Sequence, residues 1–453
     1  MGNNQEKEAH QSHGWVRKAH NVSLEEVNSS IDIPKNAGFW KKLFAFMGPG
    51  ALVAVGYVDP GNWATSIAGG AKYGYILLSV ILISNLIAML LQEMSARLGI
   101  ATDMDLAQAT RASVGKKLSF ILWILTELAI IATDIAEVIG SAIALNLLFN
   151  IPLIVGVAIT TLDVFLLLIL QKKGFRIIES IVFVLMTTIF VVFLFEVILS
   201  HPQMGSLLKG YIPSKQIVTN PGMLFIALGI LGATVMPHNL YLHSSIIQTR
   251  KYDRTLAGRK EAVKFAKIDS FFSLTVAFLI NSMILILGAA AFHGSGEVIN
   301  EIGDAYQLLS PTFGVAIAST LFGVALLASG QNSTITGTLS GQIVMEGFIH
   351  LRVEPWLRRV ITRLIAVVPV FIVTWIFGET GTSDLLLWSQ VILSLQLPFA
   401  VIPLVIFTSD KKKMGSFVNP TWIKILAWFA TIVIIALNVF LVGYILMTGQ
   451  DLG

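Results

Sequence analysis

The chain has 453 residues, 55% of them hydrophobic and only 13% charged, with a formal net charge of +4. Soluble domains run at roughly 45–50% apolar and 25% charged, so this composition excludes an ordinary soluble enzyme or binding module and describes an all-α polytopic membrane protein. No cysteine is present, which excludes disulfides and thiolate metal sites and leaves oxygen, imidazole or thioether for any metal.

Residues 1–42 are polar and mixed in charge, without the apolar core of a signal peptide, and read as a flexible cytoplasmic tail ahead of a membrane domain at 43–453. The tail histidines His10, His13 and His20 are scattered and read as inert. A helix needs about 20 residues to cross about 30 Å of hydrocarbon. Eleven runs meet that length, near 44–70, 75–97, 117–150, 152–170, 177–200, 221–247, 269–292, 312–349, 360–377, 384–407 and 422–447. They group as helices 1–5 (about 44–200), helices 6–10 (about 221–407) and an eleventh helix.

Cytoplasmic loops carry an excess of lysine and arginine. With a cytoplasmic N-terminus, all of the 31 basic residues except Lys72, Lys209 and Lys215 fall on one face. An odd number of spans then leaves the C-terminus extracellular. The positive charge is thus topological and gives no support to nucleic-acid binding.

Two spans are interrupted. In the first, Asp59-Pro60-Gly61-Asn62 sets a carboxylate and a helix breaker inside an apolar run. Hydrocarbon cannot satisfy freed backbone groups, so such chain must face protein or a water-filled cavity, and a carboxylate at that depth marks a functional site. In the sixth, Met236-Pro237-His238-Asn239 repeats the arrangement of a proline followed two residues later by asparagine. The second break comes five spans after the first, and an odd offset inverts direction across the membrane. Interrupted segments at matching positions of two halves point to a site between inverted repeats. Asp59 and Asn62 offer oxygens and the backbone near Ala233 a carbonyl, which suit a divalent cation. Met236 adds a soft thioether that favours transition metals over calcium and magnesium. Simple packing is the ordinary role of a buried methionine; its position at the break argues otherwise.

These paired motifs, and the eleven spans around them, resemble the Nramp family of divalent-metal transporters. The resemblance implies a LeuT-type fold of two inverted five-helix repeats plus an eleventh helix, with helices 1 and 6 broken at mid-membrane. It implies transition-metal uptake coupled to protons, with the ion held by Asp59, Asn62, the Ala233 carbonyl and Met236.

Gln390 in the tenth span is a further candidate oxygen, with Gln396 as its neighbour; interhelical hydrogen bonding is the ordinary role of both. The third span carries Glu127, Asp134 and Glu137, the last two on one helical face. With His238 and His243 they form a candidate proton pathway, and Arg363 and Arg359 are the buried cations that these acids would meet. Ser329, Gln331, Asn332, Ser333 and Thr334 form a polar stripe in the eighth span, and Asp163 in the fourth has no assigned role. The reading is therefore a secondary importer of Mn²⁺ or Fe²⁺ with protons in the cell membrane, without a resident cofactor or a required oligomer. A sodium-coupled amino-acid carrier and a passive metal channel are the rivals. Neither an ATP-binding Gly-x-x-x-x-Gly-Lys-Ser/Thr motif nor a His-Glu-x-x-His metalloenzyme motif occurs, so neither a hydrolysis-driven pump nor an enzyme is expected.

Overall fold

The computed structural model describes residues 15, 23–34, 36–162, 174–294, 302–315, 317–351 and 353–448. His10, His13, His20, Asp163 and the second half of the fourth span lie outside the described residues.

Long apolar runs fold as helices because the backbone then satisfies its own hydrogen bonds where water is absent. A short helix α1 (Phe39–Phe46) leads to two half-helices, α2 (Pro49–Gly56) and α3 (Pro60–Tyr73). Then come α4 (Leu78–Thr102), α5 (Leu106–Ser113), α6 (Lys116–Phe149), α7 (Leu153–Thr160) and α8 (Phe175–Leu199). The second broken span is α9 (Pro221–Val235) and α10 (Pro237–Ile246), followed by α11 (Leu256–Phe292). The chain continues through α12 (Ile302–Phe313), α13 (Ala318–Ile349), α14 (Pro355–Ser409) and α15 (Thr421–Thr448). Spans nine and ten meet inside α14 at Gly378, whose φ of 67° breaks the helical path. Two short strands, β1 (Ile31–Asp32) and β2 (Arg250–Lys251), pair in parallel.

Among the described residues, eight helices are long and apolar enough to cross a membrane, so this is a multi-pass membrane protein. The eleven runs read from sequence differ from these eight for physical reasons. The first span is cut into pieces too short to cross alone, and α3 runs on toward α4. The fourth span leaves the described residues, and α13 is diluted by serine, threonine, asparagine and glutamine. The seventh span begins at Leu256 rather than near 269, because a polar first stretch extends the helix out of the apolar zone.

The helices pack in two groups. α11 lies along α2, α3 and α4, whereas α6 lies along α13 and α14. Residues 23–34, within the stretch read as a tail, are packed against the helix ends: Leu24 is only 2% exposed.

Candidate functional site

The break in the first span sits slightly earlier than its proline suggests. α2 ends at Gly56, and Asp59 (φ −70°, ψ 165°) is extended and caps α3, with Pro60 in the first helical turn. Proline tolerates that position because its missing N–H has no intrahelical partner there anyway. The unwound residues are therefore Tyr57 to Asp59, and Pro60, Gly61 and Asn62 are already helical. In the sixth span the break is a single residue, Met236, whose φ of 27° and ψ of 103° separate α9 from α10. Ala233 lies inside the last turn of α9 rather than on unwound chain, and its carbonyl still turns to the first span.

The two breaks touch. Asp59 Oδ1 accepts from the Asn62 backbone N–H and from Asn62 Nδ2, both at 2.9 Å, and Asn62 Nδ2 also donates to Ala233 O at 2.9 Å. Met236 Sδ receives a 3.7 Å contact from Asn239 Nδ2. Asp59, Asn62, Ala233 and Met236 are all buried. Asp59 Oδ2 and Asn62 Oδ1 have no hydrogen-bond partner, nor have Thr234 Oγ1, Asn239 Oδ1 and both ring nitrogens of His238. A core rarely leaves so many polar atoms orphaned; here they concentrate at the two breaks.

Two glycines bring α14 onto this site. A Cβ at Gly61 would overlap the Gln390 carboxamide, and one at Gly232 would overlap the Gln390 carbonyl and lie 2.7 Å from the Ser394 nitrogen. Gln390 Nε2 donates to Ser389 Oγ at 2.9 Å, and its Oε1 is orphaned. Gln390 thus packs against the start of α3, whereas Gln396 donates to Thr126 Oγ1 at 3.3 Å, between helices.

Among the described residues no three of His, Cys, Asp and Glu gather into a metal cluster. The donors that do converge are mixed: one carboxylate, one carboxamide, one carbonyl and one thioether nearby.

Polar groups fan out from the centre on two sides. Tyr57 OH accepts from Gln92 Nε2 at 2.6 Å, Gln92 Oε1 meets His243 Nδ1 at 3.0 Å, and His243 Nε2 meets Ser270 Oγ at 3.4 Å. On the other side, Arg363 Nη1 pairs with Glu137 Oε2 at 3.2 Å. Thr334 Oγ1 closes a triangle, donating to Glu137 Oε2 and accepting from Arg363 Nη2, each at 3.1 Å. Arg363 Nη1 also donates to Asp134 O at 3.5 Å, one helical turn from Glu137. Glu127 stands apart with Arg358, at 2.9 and 3.0 Å, and accepts from Trp123 Nε1. Its partner is Arg358 rather than Arg363; the Arg359 side chain lies outside the described residues.

Sequence reading missed Asn281 and Gln92, and set Ser329 in the polar stripe of the eighth span without a partner; all three hold the unwound segment. Asn281 Nδ2 donates to Tyr57 O at 2.7 Å, Ser329 Oγ donates to Val58 O, and Gln92 holds the Tyr57 hydroxyl. A polar side chain in a membrane helix is a signal that does not by itself name a partner.

The chain also has close known relatives. The family model described as Natural resistance-associated macrophage protein-like (Nramp) matches residues 50–443. The divalent metal cation transporter MntH of Listeria monocytogenes is 66% identical over 432 residues, covering 95% of this chain and 96% of its own length. Its namesake in Nostoc sp. is 60% identical over 420 residues, covering 92% and 95%. A crystal structure of the Eremococcus coleocola manganese transporter superposes with a TM-score of 0.87 at 50% identity, over 93% of this chain and 90% of that one. Mhp1, a nucleobase-cation-symport-1 family transporter, shares the fold alone, with a TM-score of 0.59 at 16% identity over 88% and 81%. The expected LeuT-type fold is therefore borne out. By the extent of the family match and the identity of these relatives, the chain belongs to the Nramp family.

Proposed function

We propose that the protein is a secondary transporter that imports divalent transition metal ions, Mn²⁺ or Fe²⁺, together with protons by alternating access. The observation that carries this reading is the position of the Asn62 amide, 2.9 Å from both Asp59 Oδ1 and Ala233 O. It bridges two acceptors from two broken helices. A divalent ion, at about 2.0–2.6 Å from its oxygen ligands, takes that bridging position once the carboxamide turns to offer Oδ1. The orphaned Asp59 Oδ2 and Asn62 Oδ1 then become ligands. Met236 supplies the soft donor that favours Mn²⁺ or Fe²⁺ over Ca²⁺ and Mg²⁺, and Gln390 offers one more oxygen. The C-terminal ends of α2 and α9 add the negative poles of their dipoles. The names carried by the relatives, divalent metal cation transporter and manganese transporter, agree with this cargo.

Protons take a separate route. His238 and Asp134 receive the proton that an arriving cation repels, and the Glu137–Arg363 pair and Glu127 continue the path. His243, joined through Gln92 to Tyr57, serves the other exit. The two packing groups, α2–α4 with α11 and α6 with α13 and α14, are the bodies that rock, and the two breaks five spans apart correspond to inverted repeats. In this reading the basic face is cytoplasmic, the C-terminus is extracellular and residues 43–453 form the transport unit. The protein performs no bond chemistry and needs no resident cofactor.

Proteoliposomes containing a metal-quenched dye test the proposal. Mn²⁺ uptake is expected to accelerate at acidic outside pH and to proceed against a Mn²⁺ gradient when a proton gradient is imposed. Uptake only down the Mn²⁺ gradient identifies a channel and refutes the coupled carrier.

A further inference from the structure

The most unexpected packing lies at the face where lysine and arginine collect, in a segment that sequence patterning treats as tail. Leu24 is 2% exposed and adopts φ 53°, ψ 49°, a left-handed conformation that leucine rarely takes and that persists only where the surroundings impose it. On one side, Leu24 N donates to Glu346 Oε2 at 3.0 Å, and Gln342 Nε2 donates to Glu26 Oε1 at 3.2 Å. Both anchors are on α13. On the other side, Ser29 N donates to Gln248 O at 2.9 Å, and β1 pairs with β2 just beyond α10. Between them, Ser23 Oγ donates to Asp105 Oδ2 at 2.6 Å and accepts from Gln108 Nε2 at 3.2 Å, both on the capping box of α5.

We infer that residues 23–32 are a latch across the junction of α10 and α13, which must unfasten whenever the site opens toward the basic face. The inference rests on the alternating-access reading above. α13 packs with α6, whereas α10 is tied in sequence to the broken α9 and to α11. Opening that side separates α10 from α13, and one short segment is hydrogen-bonded to α13 and to the chain just beyond α10. Its fastening includes single hydrogen bonds, one buried leucine, a two-residue strand pair and an exposed Lys251–Asp32 ion pair at 3.1 Å, contacts of a kind that break and remake in local opening. The latch thereby favours the closed state of this face in the metal-free protein, and a partner or modification that displaced it would bias the protein toward release.

The chain has no cysteine, so Leu24→Cys introduces a single thiol. The full-length variant in proteoliposomes is treated with a maleimide on both sides, first without metal and then during Mn²⁺ turnover under a proton gradient. Labelling is expected to be at least tenfold faster during turnover, and the labelled protein is expected to lose most Mn²⁺ uptake because the adduct prevents refastening. Equal labelling rates in a variant that still transports, or full uptake after labelling, overturn the latch. Should Leu24→Cys fail to fold, hydrogen exchange of the Leu24 and Ser29 backbone amides in the unaltered chain decides: faster exchange during turnover supports the latch, and unchanged exchange overturns it. Absence of Mn²⁺ uptake by the unaltered chain overturns the transport reading and the latch with it, whereas uptake with a constantly protected segment overturns the latch alone.

Discussion

Replacing Arg363 by glutamine tests whether the acidic face of α6 is held by charge pairing. Arg363 is 1% exposed and Glu137 fully buried, with 3.2 Å between Nη1 and Oε2, and Thr334 Oγ1 bonds both at 3.1 Å. Arg363→Gln therefore removes the guanidinium that faces the buried Glu137 carboxylate, and Glu137→Gln removes the carboxylate that faces a buried guanidinium, which also donates to Asp134 O at 3.5 Å. Breaking a buried pair from one side costs about 3–5 kcal/mol, and a lost hydrogen bond to Thr334 adds about 1 kcal/mol. At about 1.4 kcal/mol per factor of ten, each single variant should shift the unfolding equilibrium by two orders of magnitude or more. The double variant removes both charges and should recover most of that loss, since a neutral replacement of a buried pair is often tolerated. Reversible unfolding of the purified protein in mixed micelles measures all four corners of the cycle. Single variants as stable as the unaltered chain, or a double variant as unstable as the two losses summed, would refute the pairing. If Glu137 also moves protons, the refolded double variant keeps Mn²⁺ uptake and loses its acceleration by acid.

Two further outcomes follow from the site. Gly61→Ala drives a methyl group into the Gln390 carboxamide; because the obstacle is the end of a flexible side chain, stability should fall by only about 1–2 kcal/mol. Mn²⁺ uptake should nonetheless fall at least tenfold, and normal uptake would remove Gln390 from the site. Met236→Ala removes the thioether at the break and should retain part of the Mn²⁺ uptake while admitting Ca²⁺, read with dyes specific for each ion. Unchanged selectivity would return Met236 to packing.

The site was legible in the sequence where physical cost betrays it. Asp59, Asn62 and Met236 stand out because a charge and two prolines in apolar runs demand a reason, and the structure brings Asn62, itself bonded to Asp59, against Ala233 of the sixth span. The exact breaks were not legible, since proline marks the first turn of the helix that follows and not the gap before it. Pairings such as Gln92 with Tyr57, Arg358 with Glu127 and Gln390 against Gly61 join distant segments, and no periodicity encodes which isolated polar residue meets which. The packing of residues 23–34 was hidden for another reason: a short polar segment with one key leucine has the composition of a tail, and its order comes wholly from the helix ends that receive it.

The central claim is that the two broken helices hold a divalent cation between them. Anomalous diffraction from crystals soaked in Mn²⁺ tests it most directly. A single strong peak is expected within coordination distance of an Asp59 carboxylate oxygen, Asn62 Oδ1, Ala233 O and Met236 Sδ, and it should vanish in Asp59→Ala. A peak elsewhere in the helices, or one at this site that persists without the carboxylate, would contradict the account.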